Sequence, residues 1–109
     1  MANNFKVKKS QSIGTSATAI GTYTVPASTE TIVTGITLAN RTASAITVDL
    51  DHYDGATATY IIKDAPIPVG GTLVVGEGQR IVMEVSDQIR VTSDTASSVD
   101  ATMSILEIT

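Results

Sequence analysis

The chain has 109 residues and a mass of 11.3 kDa, with 17 Thr, 12 Ile and 11 Val against four Leu, and a formal net charge of −4. So many β-branched side chains, stiff at χ1 and crowded in a helix, exclude a helical bundle or coiled coil. The absence of cysteine excludes a disulfide scaffold or a Cys-based zinc site, and a single His with no Trp leaves little for acid–base catalysis.

Met1 to Ser12 is polar and basic, without a hydrophobic period. It reads as a flexible N-terminal arm lying outside the sheet. Lys6, Lys8 and Lys9 fall in it, while all eleven acidic residues and only Arg41, Lys63, Arg80 and Arg90 follow, so the body is strongly acidic. Such a body argues against binding a phosphate backbone, which needs clustered Lys and Arg. From residue 13 to 109, short β-rich runs alternate with turn residues, as in a single all-β domain, an antiparallel β-sandwich of jelly-roll or Ig-like type.

About eight short strands are expected. Thr18 to Val25 is the first, stopped by Pro26. In Thr31 to Ala39, Ile32, Ile36 and Leu38 are assigned to one face. Ala45 to Tyr53 alternates most cleanly, with Ile46, Val48, Leu50 and His52 on one side and Thr47, Asp49 and Asp51 on the wet side. Asp54-Gly55 is a hairpin signal leading into Thr57 to Lys63. Pro66 and Pro68 force an irregular link or an edge, and Gly70-Gly71 bends the run from Val69 to Val75. Gly76-Glu77-Gly78 reads as a turn. Arg80 to Val85, Gln88 to Thr92 and Val99 to Ile108 complete the set.

Four runs break the alternation: Tyr60-Ile61-Ile62, Leu73-Val74-Val75, Ile81-Val82-Met83 and Ile105-Leu106. A sandwich strand has one wet face, so an apolar outer face calls for another cover. Tyr60, Ile61, Val74, Val82 and Leu106 are therefore interface candidates in a homo-oligomer. Phe5, Lys6, Lys8 and Lys9 are candidates for anchoring the arm to a neighbour. The surface-scaling rule gives about 5,700 Å² for a folded chain of this mass, enough enclosure for one modest, aromatic-poor core.

Motifs for chemistry are missing. Counted from Asp49 as a calcium loop, the fifth, sixth and twelfth positions are Tyr53, Asp54 and Tyr60 where oxygen ligand, Gly and Glu are needed. A Ser-His-Asp triad would have to use His52, which reads as a rim histidine, and no nucleophile elbow is present. Gly76-Glu77-Gly78-Gln79-Arg80 lacks the Lys-Ser/Thr pair of a phosphate loop. No catalytic, cofactor or metal residues are assigned. No apolar run approaches the roughly 18 residues that span a bilayer, and Met1 to Gly14 has no secretory signal, so synthesis in the cytoplasm with no membrane partner is expected.

Tyr23-Thr24-Val25-Pro26-Ala27, followed by Ile36-Thr37-Leu38-Ala39-Asn40-Arg41-Thr42, resembles the opening of a group of small tailed-bacteriophage virion proteins. Pro66-Ile67-Pro68-Val69-Gly70-Gly71-Thr72-Leu73, Asp87-Gln88-Ile89-Arg90-Val91 and Val99 to Glu107 continue the resemblance, which spans Ile20 to Ile108. Ser86-Asp87 stands where that group usually has Gly-Asp. The resemblance implies a non-enzymatic virion part: a head decoration or cement protein, or a neck or tail accessory. Its partners would be copies of itself and other virion proteins such as major capsid or tail proteins. A receptor- or carbohydrate-binding module of a tail fibre is the alternative.

Overall fold

The computed structural model describes residues 3–75 and 80–109. Nine strands are found among them: β1 (Asn3–Ile13), β2 (Thr18–Ala19), β3 (Glu30–Asn40), β4 (Ile46–Tyr53), β5 (Ala58–Ile67), β6 (Thr72–Val75), β7 (Ile81–Met83), β8 (Gln88–Ser93) and β9 (Val99–Ile108). One turn of 3-10 helix, Ile20–Thr22, follows β2. The expected turn at Gly76-Glu77-Gly78 lies outside the described residues.

The strands form two antiparallel sheets. The first runs β1-β9-β3-β6, with β7 also paired to β3; the second runs β2-β8-β4-β5. The pairing is nested: β1 with β9, β2 with β8, β3 with β6 and β7, β4 with β5. This is one long antiparallel ribbon rolled into two layers, which selects the jelly roll over the Ig-like arrangement. The total surface of 5794 Å² matches the scaling expectation.

The core follows from the period of two. Val33, Ile36, Leu38, Met103 and Ile105 point inward from the first sheet, and Ile46, Val48, Leu50, Ile89 and Val91 from the second. His52 continues the inward face of β4 at the rim, half-buried, as its place in the alternation requires.

Three local expectations are corrected. The arm is not outside the sheet: β1 runs antiparallel to β9 from Asn3↔Ile108 to Ile13↔Val99 and forms an edge of the first sheet. Its backbone hydrogen bonds, with Ile13 buried at its end, hold a segment whose composition carries no core signal. The strand expected at Thr18 to Val25 stops after two residues. Gly21 takes the left-handed conformation at φ 62°, and the chain turns there. Ile32 does not share a face with Ile36 and Leu38. The register of β3 against β9 shifts between Val33 and Gly35, a bulge that places one extra residue in β3 and reverses the parity. Ile32 therefore points outward, and Ile36 and Leu38 inward.

Candidate assembly surface

The outer face of the first sheet carries an apolar row that crosses four strands. Phe5 lies opposite Leu106, Leu106 opposite Ile32, and Ile32 opposite Val82. Cross-strand partners project to the same side, so these four side chains stand in line. Phe5 is 80% exposed and Val82 57%; Leu106 and Ile32 between them are half-buried by their neighbours. Val7 and Val74, both more than half exposed, extend the patch, with Thr37 and Thr102 beside Val74. Lys9 pairs with Thr102 at the β1 edge. The structure thus brings Phe5, Lys9, Val74, Val82 and Leu106 onto one face. Sequence reasoning missed Ile32, hidden by the bulge, and Val7, whose two-residue spacing from Phe5 was the available signal.

Lys6 and Lys8 are on the other side of β1 and face into the molecule. Lys6 Nζ lies 2.7 Å from Glu107 Oε1. Glu107, buried in β9, accepts a 2.6 Å hydrogen bond at Oε2 from the Tyr23 hydroxyl, which leaves the Thr31 hydroxyl to donate to the Tyr23 oxygen at 2.7 Å. Lys8 Nζ sits 5.1 Å from the centre of the Tyr23 ring. Hydrogen bonds from Lys6 and then Tyr23 hold the Glu107 carboxyl below its ordinary range. Burial, reinforced by the bond to Glu107, pushes the Tyr23 phenol up to about 12. Gly21 N–H donates to Ser10 Oγ at 2.7 Å and completes the seam. Within the chain, Lys6 and Lys8 thus tie β1 to its own domain. Inward-pointing lysines on an edge strand also discourage strand-to-strand aggregation.

Tyr60 and Ile61 belong elsewhere. They lie on β5, the edge of the second sheet, and Tyr60 pairs with Asp51. That outer face is polar. Asp51, expected on a wet face, is 4% exposed; Arg90 covers it, with Nε 2.9 Å from Oδ1. The Arg90 guanidinium also stacks 3.8 Å from the centre of the Tyr53 ring, and Lys63 lies 5.0 Å from that of Tyr60. Lys63 contacts Asp49, whose other oxygen accepts from the Asp64 amide at 2.8 Å.

His52 Nε2 is 2.8 Å from Asp87 Oδ2, and the same oxygen accepts from the Glu84 amide at 2.9 Å. An open cleft beside them is lined by Glu30, Asp54, Ile61, Ile81 and Glu84. Asp54 caps the β4–β5 turn through the amides of Ala56 and Thr57, and those bonds lower its pKa. The His52–Asp87 contact joins β4 to the turn before β8.

No protein-family model and no curated protein matches the chain. Its fold is similar to a solved chain from the Bacillus endospore appendages, described as disulfide-linked pili, with a TM-score of 0.56 at 16% identity over 99% of this chain and 87% of that one. It is also similar to a chain in the structure of the Gx strain of infectious bursal disease virus, with a TM-score of 0.57 at 12% identity over 98% of this chain and 33% of that one. This chain therefore spans about a third of that viral protein's length. At such identities the likeness is one of fold.

Proposed function

We propose that the chain is a non-enzymatic structural subunit of a tailed-bacteriophage virion. It decorates or cements the capsid, or forms part of the neck or tail, as a symmetric oligomer, and its neighbours in the particle complete its stability. The observation that carries this reading is the exposed row of Phe5, Leu106, Ile32 and Val82, an apolar outer face that no further layer covers among the described residues. The jelly roll suits the role, since viral capsid domains use it repeatedly. Having no cysteine, the chain needs no oxidising step in assembly and cannot form the disulfide links named for the endospore appendages.

Mass spectrometry of gradient-purified particles from cells carrying the gene tests the proposal. The chain is expected in fixed ratio to a major capsid or tail-tube protein; particles that lack it, with all of the protein left soluble, overturn the proposal. The alternative, a carbohydrate-binding module, needs open aromatic faces. Tyr53 and Tyr60 are the aromatics of the polar face, and cations lie over both rings. Saturable binding on a glycan array, lost in Tyr60→Ala, would favour that alternative.

A further inference from the structure

Resting on that reading of a self-associating subunit, we infer that the outer face of the first sheet is covered by the same face of a second copy. The two copies are related by a two-fold axis lying nearly along the strands, between β9 and β3. The strand register sets this geometry. The apolar row occupies one level on four adjacent strands, in the order β1, β9, β3, β7. Rotation by a half turn about an axis along the middle of that set exchanges β1 with β7 and β9 with β3 without changing level. Phe5 then meets the partner's Val82, and Leu106 meets the partner's Ile32. The row is its own complement, the property an isologous interface needs.

Charge placement permits the pairing, because the charged side chains of this face lie outside the central row. Under the same rotation Glu30, at the first position of β3 and opposite Ile108 in the register, meets the partner's Ile108 at the rim. Lys9, level with Thr102, Thr37 and Val74, lays its aliphatic stem against the partner's Val74. Val7, one level above Phe5, meets the partner's Arg80, which precedes Ile81. Among the described residues, no charged side chain on this face is brought against a like charge. The other sheet offers no equivalent: Asp49, Asp51, Lys63 and Arg90 occupy its outer face.

The area is of the right order. β1, β9 and β3, of 10 or 11 residues each, and the short β6 and β7 that share the fourth position, lie about 4.8 Å apart and give a flat footprint of roughly 600 Å². A surface studded with side chains exceeds its footprint, which brings it near the roughly 800 Å² per partner of a standard interface. Sheets packed face to face align within about 30°, so the row stays in contact near the axis.

Complementary charge substitutions test the pairing, read by light scattering and sedimentation. Phe5→Lys alone and Val82→Glu alone each set a charge against an apolar partner and are expected to weaken self-association roughly a hundredfold or more. Both sites are exposed, so the β-sheet circular dichroism should persist. An equimolar mixture of the two variants restores association. The two introduced charges then form one ion pair across the axis, and the symmetry-related position keeps its native contact of Phe5 with Val82. Within one chain these positions are three strand spacings apart, about 14 Å, too far for an internal ion pair. Thr92→Lys, on the outer face of the second sheet, should leave association unchanged. If either variant loses its sheet signature, Val7→Lys and Val7→Glu replace the pair: the first should weaken association against Arg80 and the second should not.

Wild type that associates while Phe5→Lys and Val82→Glu associate equally well overturns this face and leaves self-association standing. Singles that weaken without restoration on mixing overturn the two-fold pairing. A folded wild-type monomer at high micromolar concentration overturns both the inference and the oligomer in the reading beneath it.

Discussion

Replacing Glu107 by Gln keeps the shape of a buried side chain and removes its charge. Two interactions change. The ion pair with Lys6, whose side chain is 47% exposed, contributes about 0.5–1 kcal/mol after solvent screening. The Tyr23 hydroxyl, 2.6 Å from the carboxylate, loses charge assistance and with it about 1 kcal/mol. The sum, about 1.5–2 kcal/mol, corresponds to a fall in Tm of about 6–15 °C for a domain of this size. The sign of the pH dependence is fixed by the direction of the shift. The folded-state pKa of Glu107 is depressed, so its stabilisation is complete above the unfolded carboxylate value and is lost as pH falls through the lower folded one. Thermal unfolding of wild type and variant across pH 7 to 2 should therefore show a gap that is full near neutrality and closes in acid. Hydrogen exchange should place the loss in the β1 amides. An unchanged Tm at pH 7, or a gap of constant size across the titration, refutes the account of Glu107 as the fastening of β1.

Other substitutions probe the same framework. Gly21→Ala places a Cβ 2.8 Å from Lys8 Cβ at a residue with φ 62°, so β1 should detach, read as faster amide exchange and proteolysis between residues 5 and 10. Asn40→Ala removes an amide group whose Nδ2 lies within hydrogen-bond reach of the carbonyls of Ser44, Ile67 and Pro68, at 2.8, 3.1 and 3.2 Å. Leaving those acceptors short of donors should cost about 2–4 kcal/mol in urea unfolding, with the m-value unchanged. The Tyr23 phenol, raised from 10.0 to about 12, stabilises the fold fully below its unfolded value, and that contribution disappears as pH rises through the folded one. Wild type should therefore lose Tm relative to Tyr23→Phe between about pH 10 and 12, with the phenol titration followed by absorbance.

The parts legible in the sequence are those whose burial is one-sided. Ile46 to His52 alternates because β4 has a core side and a polar side, and β9 runs over the expected Val99 to Ile108. β1 alternates in the opposite sense, with Phe5 and Val7 outward and Lys6 and Lys8 inward, so a rule that places apolar residues inside gives no strand there. Gly35 is visible in the sequence but the parity change at the bulge is not, so simple alternation puts Ile32 on the wrong face. Asp51 reads as a wet residue because its partner Arg90 is 39 positions away and is brought beside it only by the β4–β8 register. The seam of Lys6, Tyr23, Thr31 and Glu107 is illegible for the same reason. Its members come from four separate segments and carry no local motif.

The antiparallel pairing of β1 with β9 ties the first described residue to the last but one, Asn3 against Ile108. Loops that long close slowly. The outer apolar row needs Phe5 from one end and Leu106 from the other, so a growing chain on the ribosome displays no finished patch. The surface is completed only after residue 106 has been made and the two ends have found each other. Association through this face therefore has to follow the pairing of β1 with β9, which makes the patch a product of the folded domain and not of any one segment.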